Sequence, residues 1–416
     1  MPLSGRRPLH LVEIGLRWPP ETFLCWKLEG LAARGMRVTV ASRTIFEPEA
    51  RLDGVELIHL PQVGRLPGRL GLALRLLALF LTAPRRALTL LRAVRRVPRG
   101  YREYRGGYGR LLGNCLPLAR LRPDIVHFEW NSAAALYLPL FDVWRCPVVT
   151  SCHGSEVSLY PHVPGHEFSS ERLPAVFAGA AAVHCVSESL REEAQRFGLE
   201  PGKARVIRQG VDPELFRPNG GPPPGEAPLR VISVAWLRWM KGFEWALIAV
   251  RRLLEAGVPV RLEVIGGDPT EEIGEPSERA RIAHTLSDLG LEDHVHLLGK
   301  LSSADVAARL QASDVLLLPS LDEGLPTVLL EAMASGIPVV ATDCGGVSES
   351  FTHELEGLLV PPRDAAAMAG ALERLWRDPA LRARMGEAGR RTATTRFTLD
   401  RQLEEFHALY RELAAA

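Results

Sequence analysis

Short apolar blocks alternate with helix-length segments along most of the chain. Leu9–Ile14, Arg37–Ala41 and Val55–Leu60 read as strands, with a helix over Thr22–Arg34 that stops at Gly35. Asp124–Phe128, Pro147–Ser151, Ala182–Val186 and Arg205–Ile207 extend the pattern. It restarts with a strand at Leu229–Ala235, a helix at Phe243–Ala256, a strand at Arg261–Ile265, a helix at Glu278–Leu289 and a strand at Val295–Leu298. Gly357–Val360 reads as the closing strand and Leu399–Leu413 as a terminal helix. Such alternation predicts α/β architecture, with mostly parallel sheets covered by helices on both faces. Between the two series lies NGGPPPGEAP, residues 219–228, whose Gly and Pro density forbids regular structure. The predicted organisation is therefore residues 1–218, a linker over 219–228, residues 229–396, and a final helical segment 397–416, with ligands bound at the carboxyl ends of strands.

One stretch carries the densest chemistry. Asp314–Leu318 and Val339–Ala341 are apolar runs, and the segment between them opens at Pro326 and closes at Gly336 and Pro338. Pro near a helix start and Gly past its end predict strand, loop, helix, strand. Glu323 falls in the loop and Glu331 in the helix, on the same face as Thr327. Gly324 and Leu325 supply no capping side chain, which leaves first-turn amides for an anion, above all a phosphate. Two flanking carboxylates suit the hydroxyls of a sugar and a ribose. An acidic loop beside a solvated helix glutamate is the competing reading.

Composition narrows the classes. The 416 residues carry a net charge of +1, which gives no reason to expect a general polyanion binder. Six cysteines are scattered without CxxC or zinc spacing, as in reduced cytosolic proteins. PLSGRRPLHLVEIGLRWPP lacks the apolar core of a signal peptide, and no uncharged run reaches the roughly 20 residues of a membrane span. Neither DxD nor HExxH occurs, so no metal is expected. Residues 66–110 stand apart: arginines and leucines interleave, with Glu103 the only acid. A basic amphipathic segment of this kind lies on an anionic membrane surface or forms a solvated face on its own domain. Tyr101, Tyr104 and Tyr108 come with no recognisable nucleic-acid module, so no nucleic-acid partner is expected.

EGLPTVLLEAMASGIPVVAT, with Glu323 and Glu331 separated by seven residues, resembles the signature of the retaining family 4 glycosyltransferases of GT-B fold. The ETF triplet at Glu21–Phe23 is similar to members that build bacterial surface polysaccharides of the colanic-acid type. The resemblance implies two Rossmann-like domains facing a cleft, with a terminal helix returning to the first. It implies that Glu323 contacts the donor sugar, Glu331 the ribose, and Gly324, Leu325, Pro326 and Thr327 the diphosphate. Lys241, in KGF before a helix, matches the family's diphosphate lysine; alone it reads equally as a surface base. Trp236 stands where the family usually carries an arginine, with Arg238 as a candidate replacement. Gly266 in the Gly266-Gly267-Asp268 turn, and Gly299–Leu301, match the nucleotide side. His153-Gly154-Ser155-Glu156 resembles the family's HGxD loop, with Glu156 in place of Asp; His153 would then bond the donor sugar rather than serve packing. Glu21, Thr22 and Glu156 are placed on the acceptor side, and His127 in a structural role.

The expected activity is retaining, metal-independent transfer of a sugar from a nucleotide-diphosphate sugar to a glycan or lipid-linked acceptor in polysaccharide biosynthesis. No cofactor is called for. The setting is cytoplasmic, with peripheral contact at the inner membrane face. Two alternatives remain open: an inactive nucleotide-sugar-binding partner subunit, and a nucleotide-sugar epimerase on the same fold.

Overall fold

The computed structural model describes residues 7–61, 69–97, 107–163, 171–218, 228–268 and 277–416. The contacts divide the chain into two compact units. Unit 1 holds the chain up to Val186 together with Leu190–Ile207 and Leu403–Ala416; unit 2 holds Ser187–Ser189 and Arg208–Gln402. The expected linker, apart from Pro228, lies outside the described residues. The chain leaves unit 1 earlier, at Ile207, because residues from 208 onward pack on unit 2. Val211 bridges Thr398, and the Arg390 guanidinium donates to the Phe216 carbonyl at 2.6 Å.

In unit 1 the strands are β1 (His10–Ile14), β2 (Arg17–Trp18), β3 (Arg37–Ser42), β4 (Thr44–Ile45), β5 (Val55–His59), β6 (Ile125–Phe128), β7 (Val148–Cys152), β8 (Ala182–Cys185) and β9 (Ala204–Val206). Seven of them form a parallel sheet in the order β5-β3-β1-β6-β7-β8-β9, while β2 and β4 pair separately. The helices are α1 (Thr22–Ala33), α2 (Arg69–Thr82), α3 (Pro84–Arg96), α4 (Tyr108–Cys115), α5 (Asn131–Trp144), α6 (Ser155–Ser158), α7 (Leu173–Gly179) and α8 (Glu188–Arg196), whose first residues belong to unit 2. The strands β6 and β7 are buried along their whole length, as parallel strands covered on both faces require.

Unit 2 contains β10 (Leu229–Val234), α9 (Phe243–Glu255), β11 (Val260–Ile265), α10 (Glu278–Asp288), β12 (Val295–Gly299), α11 (Ser303–Gln311), β13 (Val315–Leu318), α12 (Thr327–Ala334), β14 (Val339–Thr342), β15 (Gly357–Val360), α13 (Ala365–Arg377) and α14 (Pro379–Arg396). Its parallel sheet runs β12-β11-β10-β13-β14-β15. Phe243, Leu247 and Val250 of α9 and Met368, Leu372 and Leu375 of α13 bury against Val231, Leu262 and Leu317 of the sheet. The last helix, α15 (Leu399–Ala415), starts in unit 2 and contributes its length from Leu403 to unit 1.

Both sheets reverse their winding once, between β1 and β6 in unit 1 and between β10 and β13 in unit 2. Where order reverses, the loops at the carboxyl ends diverge and open a crevice for ligands. Of the residues singled out by sequence, Lys241 and Glu323 fall on these loops, whereas His153 follows β7, Gly266 follows β11 and Glu331 lies within α12.

Candidate active site

In unit 2, Lys241 follows β10 and Glu323 follows β13, so the two flank the reversal point. The Lys241 ammonium donates to Glu323 Oε1 at 2.7 Å, and Ser320 Oγ donates to the same oxygen at 2.7 Å. Glu323 is nearly enclosed, whereas Lys241 keeps some exposure. Backbone fit makes this proximity. Gly242 has φ +64°, and a Cβ there would meet the Pro319 carbonyl oxygen at 2.1 Å. Gly345, at φ +51°, lies so close to Glu323 that a Cβ would stand 1.9 Å from its carbonyl oxygen.

The helix α12 starts beside this pair. Its N-cap is Pro326, no side chain caps it, and its eight residues end at Ala334, two before Gly336, whose φ is +77°. Gly324, Leu325 and Pro326 are buried and Thr327 is half-buried. Glu331 projects one turn on from Thr327, and burial pushes its carboxyl up to about 7. A carboxylate without a cationic neighbour to hold it ionised is suited to accepting from neutral donors such as ribose hydroxyls.

The residues expected on the nucleotide side lie at the carboxyl ends of β10, β11 and β12. Gly266 leaves no room for a side chain, since a Cβ would sit 1.8 Å from the Ala235 carbonyl oxygen. The Trp236 ring lies against Gly267, and the Lys300 ammonium stands 5.9 Å from its centroid. Arg238 is exposed on the loop before Lys241. Asp268 accepts from Ser277 Oγ at 2.8 Å and from the Arg279 amide at 2.7 Å, so it serves the start of α10.

Unit 1 brings a second constellation to its own reversal point. Glu13 lies in β1, Glu129 directly follows β6, and Lys27 comes from α1; all three are buried. Buried positions of α1 are Leu24, Lys27, Leu28 and Leu31, so a lysine occupies the apolar stripe of the helix. Its ammonium donates to Glu13 Oε1 at 2.8 Å and to Glu129 Oε1, and stands 4.4 Å from the Phe406 ring centroid. Burial raises the Glu13 carboxyl to about 8. Burial acts the same way on Glu129, but the Lys27 ammonium, with His127 and His153, holds it well below the usual carboxylate range. The buried ammonium thus faces one carboxyl held toward its ionised form, Glu129, and one that burial pushes toward its protonated form, Glu13.

Hydrogen-bond directions then follow from the acceptors. His184 Nε2 lies 2.8 Å from the Ile207 carbonyl, which can only accept, so Nε2 carries the proton. Burial pushes the His184 pKa down to about 3, leaving neutral Nδ1 to accept from Ser151 Oγ at 2.8 Å. Ser151 in turn accepts from His127 Nε2 at 2.7 Å, and His127 Nδ1 accepts from Tyr410 Oη at 2.6 Å. Both ring nitrogens of His127 are thus engaged inside the buried network. The potential ligand atoms of His127, Glu129 and His184 lie within 4.8 Å of one another, a spacing compatible with a metal ion. Both nitrogens of each ring are already engaged, however, and the Lys27 ammonium is bound to Glu129 among them, so the donor set does not favour a cation.

His153 is the outermost member. Its Nε2 donates to Glu129 Oε2 at 2.8 Å, and its ring contacts Phe23, from the ETF triplet, and Trp130 at 5.6 and 5.1 Å between centroids. Glu21 pairs with Arg17 at 3.1 Å, and Thr22 is exposed at the start of α1. Glu156, expected on the acceptor side, has both oxygens occupied: they accept from the amides of Asn131 at 2.6 Å and Ser132 at 3.0 Å, at the beginning of α5. Sequence reading missed Glu129, Lys27, Glu13 and Ser320. The available signal was a lone lysine in the buried phase of α1.

Comparison with known proteins places these residues in context. The family description "Glycosyltransferase Family 4" matches residues 27–215, and "Glycosyl transferases group 1" matches residues 222–392. The amylovoran biosynthesis glycosyltransferase AmsK of Erwinia amylovora is 31% identical over 70% of this chain and 68% of its own. The putative colanic acid biosynthesis glycosyltransferase WcaL of Escherichia coli is 34% identical over 60% of this chain and 60% of its own. Among solved structures, sucrose-phosphate synthase from Thermosynechococcus elongatus superimposes with a TM-score of 0.75 at 24% identity, covering 98% of this chain and 99% of that one.

Proposed function

The chain belongs to glycosyltransferase family 4, with the GT-B fold, and we propose that it moves a sugar from a nucleotide-diphosphate sugar to a hydroxyl of a glycan or lipid-linked acceptor, with retention and without a metal. The observation that carries the reading is the Lys241–Glu323 pair, 2.7 Å apart beside the uncapped start of α12. An ammonium and free helix amides are suited to the charge that grows on a departing diphosphate. Glu323 holds the sugar hydroxyls, Glu331 the ribose, and Thr327 and the amides from Gly324 onward the phosphates. Gly266 admits the nucleotide, while Arg238, and Lys300 beside Trp236, add positive charge.

In the reaction the acceptor oxygen bonds to the anomeric carbon as its bond to the phosphate oxygen breaks. The acceptor proton passes to a donor phosphate oxygen on the same face, so configuration is kept and nucleoside diphosphate leaves. His153, oriented by Glu129, hydrogen-bonds the sugar. Glu21 and Thr22 belong to the acceptor side, as does contact of the basic segment 66–110 with an anionic membrane.

A calorimetric panel of nucleotide-sugars, with and without chelator, tests the reading. Binding of a donor at micromolar strength that survives chelation supports it. Failure of every donor to bind folded protein transfers support to the inactive partner-subunit reading, for which Trp236 in place of arginine is the motivating feature.

A further inference from the structure

In unit 1 the helix α2 exposes Leu70, Leu74, Leu77 and Leu81, at 74%, 57%, 53% and 77% of their full surface. Their spacing of four, three and four residues places them on one face, along the length of the helix. Leu79 on the other side is fully buried. Soluble proteins scatter exposed leucines singly; four in register form a patch that calls for an apolar occupant.

Charge identifies that occupant. Residues 69–97 contain seven arginines and no Asp or Glu. The following helix, α3, buries Ala87, Leu90, Ala93 and Val94 and exposes Arg85, Leu88, Arg92, Arg95 and Arg96. A leucine ridge on α2, followed in the chain by a helix whose exposed positions include four arginines, matches a surface that is apolar within and anionic at its rim. Among the described residues no helix is long and apolar enough to cross a membrane.

We propose that α2 and α3 dock on an anionic lipid bilayer, with Leu70, Leu74, Leu77 and Leu81 entering the acyl boundary and the α3 arginines resting on the headgroups. This deepens the acceptor-side part of the functional reading, to which it owes the context of a lipid-linked acceptor. The face itself is defined without reference to the chemistry, so donor binding and lipid binding can be read separately.

The test is co-sedimentation of the full chain with phosphatidylcholine vesicles, with or without phosphatidylglycerol. The wild type is expected to sediment with the anionic vesicles, weakly with neutral ones, and less as salt rises. L74S/L81S should lose about tenfold in partitioning for each leucine withdrawn from the acyl boundary. Its thermal midpoint and donor binding should stay at wild-type values, because both side chains are exposed. R92S/R95S should lose the preference for anionic vesicles. Wild-type protein that ignores anionic vesicles overturns the proposal, as does an L74S/L81S variant that binds them normally. A wild-type dimer that L74S/L81S converts to monomer also overturns it, since the leucines would then be covered by a second copy.

Discussion

Glu129 holds two partners at once: one carboxylate oxygen accepts from the buried Lys27 ammonium and the other accepts from His153 Nε2 at 2.8 Å. The buried charge pair at the winding reversal of unit 1 therefore orients the ring matched to the HGxD histidine. With Nε2 committed as the donor, Nδ1 is the nitrogen left to face a ligand.

Lys27→Met removes the cation and leaves the Glu129 carboxylate buried without it. The variant is expected to lose about 3–5 kcal/mol of stability, the range for breaking a buried pair from one side. Adding Glu129→Gln should recover part of that loss, because the stranded anion is gone. Denaturant unfolding of the two singles and the double measures the coupling; additive losses would show that the pair does not act as a unit.

Gly242→Ala places a Cβ against the Pro319 carbonyl oxygen at a residue with φ +64°. The loops after β10 and β13 must then separate, drawing Lys241 away from Glu323. A loss of about 2 kcal/mol or more in stability is expected, together with weakened donor binding. Calorimetry at a temperature where the variant remains folded distinguishes the two effects.

Glu331 gives a pH dependence with a defined sign. Its carboxyl is raised by burial to about 7 in the folded chain, from 4.5 as a free side chain. The folded state therefore binds the proton more tightly, and this group lowers stability as pH rises from about 4.5 to about 7. Glu331→Gln should melt higher than wild type at pH 8, with the difference closing as pH falls below the ordinary carboxylate range. Donor affinity of the wild type should fall as pH drops below about 7, since a protonated carboxyl accepts ribose hydroxyls less well. A difference in melting that is independent of pH would refute the assignment.

The strands and helices around both reversal points were legible because parallel strands buried on two faces need continuous apolar runs, as VLLL in β13 shows. Helix α12 was legible from Pro326 and Gly336, and the observed helix starts and stops within a residue or two of those signals. The unit boundary was not. NGGPPPGEAP is the most irregular composition in the chain, but contacts rather than composition set the division, and Phe216 already packs on unit 2. Glu156 looked like a ligand group by motif; only the fold reveals the α5 amides that occupy it. The charge cluster of Lys27, Glu13 and Glu129 was hidden for a similar reason: its members come from separate segments, and only sheet order brings them together.

The most direct test of the account is nucleoside diphosphate release by purified wild type, Lys241→Ala and Glu323→Ala with the donor that binds. Lys241→Ala is expected to weaken donor binding about tenfold and to slow turnover. Glu323→Ala should retain donor binding through the phosphate and ribose contacts yet lose about 100-fold or more in turnover. Wild-type turnover by folded Glu323→Ala would contradict the account.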